Sequence, residues 1–182
     1  MSDQTTGSID RRWLNEGVIS AISVGMFFVL IGVVFVINPN LVSRSDSFFR
    51  DITSVQVGNV GGSRFFLPAP ATPADHIYVY TTASQFALGV GILEVVILAL
   101  RISLGSRIRR TAQTVGDLVF WFGAADLLNS LASMKSGLSI SQQRETWFVF
   151  WAAIIMLIGF ALIVRGLVLL SAKRERSKTV IS

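Results

Sequence analysis

Apolar residues are concentrated in four long runs that polar and charged segments separate. The runs cover residues 17–38, 79–100, 114–133 and 147–170. A helix of about 20 apolar residues crosses the roughly 30 Å hydrocarbon core of a bilayer. The pattern therefore predicts an all-α integral membrane protein, built as a bundle of four transmembrane helices.

The fourth run shows the membrane signature most clearly. Residues 147–170 contain one charged residue, Arg165, and begin with two tryptophans, Trp147 and Trp151. Such aromatic side chains favour the headgroup level of a membrane. A basic tail, residues 172–182, follows directly. These features predict a spanning helix whose C-terminal end lies in the cytoplasm.

Residues 39–78 form the longest segment between two runs. Residues 47–49 favour a short interfacial helix. The alternating valines and paired phenylalanines in 55–66, interrupted by Gly61-Gly62, are typical of a small β-hairpin. Three prolines in 68–73 favour an extended return to the membrane. The segment is thus predicted to fold outside the bilayer.

The distribution of lysine and arginine predicts the orientation of a single membrane domain, residues 17–171. Two basic residues lie in the N-terminal segment 1–16, four in the loop 101–112 and four in the tail, against five on the opposite side. Basic residues accumulate in cytoplasmic loops. We therefore expect a cell-membrane protein with both termini in the cytoplasm. Segment 39–78 is then extracytoplasmic.

Composition excludes several classes of function. Only 15% of the 182 residues are charged, whereas soluble domains average about 25%. The net charge of +5 comes from residues that flank the apolar runs, so we expect no nucleic-acid partner. The absence of cysteine and the single histidine, His76, argue against a disulfide, a metal centre or thiol chemistry. His76 is interpreted as a lone surface histidine, and no cofactor is expected.

Three charged residues inside the predicted spans fall at one depth. Glu94, Asp117 and Arg165 each lie seven or eight positions from a basic residue that marks the cytoplasmic end of the span. At 1.5 Å per residue, each is about 10–12 Å inside that boundary. Each buried charge costs about 2.5–3.5 kcal/mol on insertion scales, and pairing reduces that cost. We predict an intramembrane salt bridge in which Arg165 joins both carboxylates. The functional alternative is a site for an ion or an anionic lipid headgroup.

Asp126 lies near the middle of the third span, where no other span offers a cation. Asn129 shares its helix face, and Gln85 is the nearest expected partner on another span. A neutral, hydrogen-bonded carboxyl is the structural interpretation, and a proton- or cation-binding group on a transport path is the functional one. Asp117 and Asp126 are nine positions apart, on nearly opposite faces, so they form no paired-carboxylate site.

Small residues recur at helical spacing in all four spans and predict where the helices approach one another. They are Gly25 and Gly32; Ala83, Ala87 and Gly91; Gly116, Gly123 and Ser130; and Ala152, Gly159 and Gly166.

The sequence contains none of the catalytic motifs that we sought. HExxH, GxSxG and Walker patterns do not occur. We therefore interpret the chain as a non-enzymatic small subunit or accessory component, embedded in the lipid bilayer within a homo-oligomer or a larger membrane complex. The alternative is a small oligomeric transporter or channel that uses the intramembrane carboxylates. A third class, an enzyme acting on lipid, needs a catalytic pair that we do not find.

Overall fold

The computed structural model describes residues 4–60, 63–135 and 137–179, with side chains for 16–58, 63–135 and 137–172. These residues form five α-helices, a two-stranded sheet and one 3-10 turn. In chain order the elements are α1 (Gln4–Ile37), α2 (Leu41–Asp51), β1 (Ile52–Val60), β2 (Ser63–Pro70), the 3-10 turn (Pro73–His76), α3 (Ile77–Ser103), α4 (Ile108–Ala132) and α5 (Ile140–Thr179).

The four predicted spans are confirmed as helices that are long and apolar enough to cross a membrane. The membrane-length stretches are Glu16–Ile37, Pro73–Ser103, Ile108–Ala132 and Ile140–Ala172. Helix α1 begins at Gln4, so the backbone of most of the segment 1–16 is already helical. Helix α5 has 40 residues, or about 60 Å at 1.5 Å per residue, and therefore exceeds the thickness of the hydrocarbon core.

Local chemistry explains where α1 and α3 end. Pro39 follows the last turn of α1 and cannot continue the helix, because its nitrogen carries no hydrogen. Asn38 closes that end, since its backbone N–H and its side-chain amide both donate to the carbonyl of Val34. At the end of α3, Gly105 adopts a φ of 63°, which glycine reaches without steric cost. The chain then reverses sharply into α4.

The spanning helices pack in the order α1, α3, α4, α5. Helix α3 contacts both α1 and α4, the α3–α4 contact is the most extensive, and α5 packs against α4. Among the described residues, extensive contacts join only neighbours in this order. Most apolar side chains of α1 and α5 are consequently exposed, including Val36, Ile155 and Met156.

The glycines of α4 lie at close helix contacts, as predicted. A Cβ placed on Gly116 would lie 3.2 Å from the carbonyl oxygen of Ala161, and one on Gly123 would lie 2.5 Å from a methyl group of Leu157. Helix α5 therefore turns the face of Leu157 and Ala161 toward α4.

The predicted contacts of four other glycines are wrong. No atom of the described neighbouring chain lies within 4 Å of a Cβ placed on Gly25, Gly32, Gly159 or Gly166. These glycines lie on helix faces that the neighbouring helices do not cover, because α1 and α5 each pack against a single spanning helix.

The segment between α1 and α3 folds as a cap over one end of the helices. The predicted hairpin is confirmed: β1 and β2 pair antiparallel, with a bulge between Gln56 and Gly58. Its Gly61-Gly62 turn lies outside the described residues. Helix α2 occupies the position of the predicted short helix. Of the three prolines expected in extended chain, Pro68 and Pro70 lie in β2, whereas Pro73 begins the 3-10 turn.

An aromatic core attaches this outer cap to the helices. The rings of Phe48, Tyr80 and Trp147 lie with centroids about 6.0 Å apart, and Phe150 stacks on Trp147. The indole of Trp147 donates a 3.4 Å hydrogen bond to the carbonyl of Pro68, and Arg144 donates to Ala71 at 3.1 Å. The start of α5 is thereby fixed to the end of the hairpin.

Candidate functional site

Six charged side chains from four helices gather at the end of the bundle opposite the outer cap. We call them the inner cluster: Glu16 of α1, Glu94 and Arg101 of α3, Arg110 and Asp117 of α4, and Arg165 of α5. Hydrogen bonds, one ion pair and electrostatic interactions connect them. The group contains three carboxylates and three guanidinium groups, so its formal charges balance.

Arg101 of the inner cluster forms two hydrogen bonds to α4. One of its terminal nitrogens donates to the backbone carbonyl of Arg110 at 2.5 Å and to the hydroxyl of Thr114. Thr114 is buried and also donates to the carbonyl of Arg110. The guanidinium therefore folds back across the α3–α4 turn and bonds to the first turns of α4.

The three residues of the predicted charge layer lie near one another. Asp117 interacts electrostatically with Arg165 and Arg101, and Glu94 interacts with Asp117 and Arg101. All of these side chains are partly buried. Within the described chain, however, no nitrogen–oxygen distance of 4.0 Å or less joins Arg165 to either carboxylate. The direct salt bridge stays a prediction.

The sequence interpretation did not include Glu16, Arg101 or Arg110 in this site. The two arginines were used only to mark the edge of the membrane. A signal was nevertheless present, since Glu94 precedes Arg101, and Arg110 precedes Asp117, by seven positions in each case. Residues seven apart lie two turns away on the same helix face, so each pair belongs to one face.

Asp126 lies away from the inner cluster and its side chain is exposed. Asn129 and Ser130 are exposed beside it, whereas Asp117 is partly buried on the other side of α4. Gln85, the expected partner of Asp126, instead accepts a 3.4 Å hydrogen bond from the amide of Asn38 at the end of α1. A hydrogen bond joins α3 to this part of α4, since Ser84 donates to the carbonyl of Ala125 at 2.8 Å.

A second polar site lies in the outer cap around Asp51. One oxygen of this carboxylate accepts hydrogen bonds from His76 Nε2 and the Thr72 backbone N–H, each at 2.9 Å, and from the Thr72 hydroxyl at 3.2 Å. His76 is only 8% exposed, and its ring packs edge-on against Phe48. The expectation of a lone surface histidine is therefore wrong, because the hairpin brings a carboxylate to the imidazole.

The hydrogen bonds at Asp51 determine the direction of its pKa shift. Burial alone raises the pKa of the carboxyl, but the hydrogen bonds from Thr72 and His76 and the charge of His76 stabilise the ionised form more strongly. The net pKa lies below the ordinary aspartate value. The ionised carboxylate is thus the form that holds the outer cap together.

The lowered pKa of Asp51 predicts a loss of stability in acid. A group with a depressed folded-state pKa contributes stability above its unfolded pKa, about 3.9, and loses it as pH falls through the folded value. We expect the thermal unfolding temperature, followed by tryptophan fluorescence, to fall more steeply below about pH 4 in the natural chain than in Asp51→Asn. Parallel pH profiles of the two proteins would contradict this assignment.

The Asp51–His76 pair lacks the geometry of a catalytic triad. In a triad the imidazole bonds both to the carboxylate and to a nucleophile, which it deprotonates. The hydroxyl of Thr72 bonds to the carboxylate instead of the imidazole. Among the residues that the structure describes, no group of three His, Cys, Asp or Glu side chains is arranged to hold a metal ion either. The observed contacts support a structural role for the pair.

Four helices of the described chain are long and apolar enough to cross a membrane, which is consistent with a multi-pass membrane protein. No protein-family model, curated protein or solved structure matches the chain. Its function is therefore inferred from which polar groups its own helices satisfy and which they leave exposed.

Proposed function

We propose that the chain is a non-enzymatic subunit of a larger membrane assembly. The observation that carries this proposal is the exposure of Asp126, Asn129 and Ser130 within a membrane-length helix. A carboxylate at the centre of a span costs about 2.5–3.5 kcal/mol on insertion scales, and such groups normally face protein or a wet cavity. A partner that covers these side chains removes that cost.

The polar residues belong to one continuous strip of α4, which we call the Asp126 face. It consists of Phe122, Asp126, Asn129 and Ser130 of α4 and of Ser133 directly after it, all of them exposed, although one edge of the Phe122 ring packs near Gly91 of α3. Their spacing of three and four places them on one side of a helix. The contact of Ala125 with α3 and the contact of Gly123 with α5 flank this strip. A partner helix can therefore lie along α4 in the space between α3 and α5.

The occupant that we propose is a transmembrane helix of a partner subunit that presents a hydrogen-bond donor to Asp126. An amide, a hydroxyl or a cation at that depth satisfies the carboxylate. The exposed ring of Phe122, one turn before Asp126 on α4, supplies apolar contact area beside the polar centre. In a membrane, such packing and interhelical hydrogen bonds drive association, because burial from lipid adds no hydrophobic force.

We further propose that both termini and the inner cluster lie on the cytoplasmic side of a cell membrane. The excess of lysine and arginine in 1–16, 101–112 and 172–182 supports this orientation. The outer cap then faces the opposite side, where the hairpin and the exposed helix α2 are available to solvent.

Replacing Asp126 by leucine tests the assembly directly. The natural chain, extracted in mild detergent from membranes that contain its partners, is expected to elute as a complex heavier than one copy. Asp126→Leu is expected to elute mainly as a single copy, because the polar contact that holds the partner is gone. The measurement is size-exclusion chromatography with light scattering, corrected for bound detergent.

A matched control separates loss of assembly from loss of fold. Asp46 is an exposed aspartate of α2, outside the spans, so Asp46→Leu is expected to leave the mass unchanged. The unfolding temperature of Asp126→Leu should equal that of the natural chain stripped of partners. A natural chain that elutes as one copy, or an unchanged complex in Asp126→Leu, would refute the proposal.

A transporter or channel, the alternative proposal, receives less support from the packing. The rings of Phe27, Phe86 and Trp121 form a chain across α1, α3 and α4, with centroid distances of 5.9 and 6.2 Å. These edge-on contacts pack α1, α3 and α4 closely together between the inner cluster and the outer cap. Proteoliposome flux of protons or cations that Asp126→Asn abolishes would favour transport instead.

A further inference from the structure

A cavity of about 350 Å³ lies beside the inner cluster, between α1 and the α3–α4 turn. Ligand sites in proteins range from roughly 300 to 1,000 Å³, so the cavity can hold a small polar group. Its polar lining consists of Glu16, Ser20, Ser23, Arg101, Ser106 and Arg110. Two guanidinium groups and one carboxylate line the cavity, so the lining residues themselves carry a formal charge of +1.

Arg101 is positioned in advance to bind an anion in this cavity. The hydrogen bonds to Arg110 and Thr114 both come from one terminal nitrogen, Nη1. They fix the plane of the guanidinium and leave the Nε and Nη2 hydrogens as donors. This pair of nitrogens forms the fork with which arginine binds phosphate oxygens in a bidentate manner.

Arg110 is available for the same ligand. Its Nε lies 3.8 Å from a carboxylate oxygen of Glu16, well beyond the 2.7–2.9 Å of a charge-assisted hydrogen bond. The side chain of Arg110 is 59% exposed, so its ion pair with Glu16 is screened by solvent and weak. An oxyanion in the cavity can therefore replace the carboxylate as the partner of Arg110.

We infer that the cavity binds a phosphate-bearing anion, held by Arg101 and Arg110 with help from the hydroxyls of Ser20 and Ser106. Two sources share this chemistry, namely the headgroup of an anionic phospholipid and free inorganic phosphate. Ile19 and Val24 also line the cavity, and Val24 continues into the exposed apolar surface of α1 at Phe28. An acyl chain can lie along that surface while the phosphate occupies the cavity.

The test uses the full chain in a mild non-ionic detergent. Phosphatidylglycerol, phosphatidylcholine and inorganic phosphate are added separately, and native mass spectrometry counts retained lipid while a thermal shift assay follows stabilisation. We expect phosphatidylglycerol to bind more tightly than phosphatidylcholine. Arg110→Gln is expected to weaken that binding about tenfold, the effect of losing one hydrogen bond between charged groups.

Two further variants make the test specific to the cavity. Arg50→Gln removes an arginine of α2 in the outer cap that is also more than half exposed, and it is expected to leave binding unchanged. Glu16→Gln removes the competing carboxylate and is expected to tighten binding several-fold, a result that a merely structural role of Arg110 would not produce.

The outcomes also separate the two sources of phosphate. Retention of phosphatidylglycerol that depends on Arg110 identifies a lipid headgroup, whereas stabilisation by inorganic phosphate alone, lost in Arg110→Gln, identifies free phosphate. Equal binding of every probe to the natural chain and to Arg110→Gln would overturn the inference. Arg110 is exposed, so this variant is expected to fold.

Discussion

Replacing Gly116 by leucine is expected to lower the free energy of unfolding by about 3 kcal/mol, the upper part of the range for overpacked sites. A Cβ at this position would already lie 3.2 Å from the carbonyl oxygen of Ala161 and 3.3 Å from the Cβ of Arg165. The nearest of these atoms belongs to the helical backbone of α5, so the larger side chain is expected to force the two helices apart. The measurement is unfolding of the detergent-solubilised chain by titration with a denaturing detergent.

The matched controls are Gly159→Leu and Gly166→Leu on α5. No atom of the described neighbouring chain lies within 4 Å of a Cβ placed at either position, so each change is expected to alter stability by less than about 0.5 kcal/mol. Equal destabilisation by Gly116→Leu and Gly166→Leu would show that α5 turns a different face toward α4.

Replacing Asp51 by alanine is expected to destabilise the outer cap by about 2–4 kcal/mol, because hydrogen bonds to charged groups contribute roughly 1.5–3 kcal/mol each and are not additive. The variant removes the oxygen that accepts three hydrogen bonds, two from Thr72 and one from His76. It also leaves the buried imidazole without its acceptor. Thermal unfolding followed by the fluorescence of Trp147, which lies in the aromatic core of the cap, measures the effect.

Asp46→Ala is the control for this second prediction. Asp46 forms a 2.9 Å ion pair with Arg50, but both side chains are more than half exposed. Exposed pairs of this kind contribute about 0–1 kcal/mol. If Asp51→Ala were as stable as Asp46→Ala, the Asp51–His76 contact would not have the structural role that we assign to it.

The sequence predicts the elements that depend on local patterns. Long apolar runs indicate the spanning helices, and alternating valines indicate the hairpin, because both signals are repeated over many neighbouring residues. The helical backbone from Gln4 was not predicted, since the first sixteen residues are mainly polar. Pro73 was expected in extended chain, but the position also suits the first turn of a helix, where the missing N–H costs nothing.

The sites depend on tertiary packing, and the sequence predicts them only in part. The helical rise predicts Glu94, Asp117 and Arg165 at one depth. In the structure these three side chains also lie near one another. The backward reach of Arg101 requires the tight turn at Gly105, which no periodicity predicts. Asp51 and His76 are separated by the whole hairpin, so only the folded strands bring them together.

Helix faces are the least predictable feature. Glycine repeats every seven residues on both α4 and α5, yet only the repeat of α4 lies at a close contact. Small residues permit close approach without requiring it. The same reasoning applies to Asp126, whose exposure follows from which sides of α4 contact α3 and α5.

A nitroxide on α4 tests the central claim, that the Asp126 face is covered by a partner helix. The chain has no cysteine, so Ser130→Cys gives a single labelling site, and Phe160→Cys on exposed α5 gives a reference. Electron paramagnetic resonance then measures collisions with oxygen, which enters lipid, and with a polar nickel chelate, which enters water. We predict low accessibility to both probes at position 130 in membranes that contain the partner, and high oxygen accessibility at position 160. High oxygen accessibility at position 130 would place the Asp126 face in lipid and contradict the account.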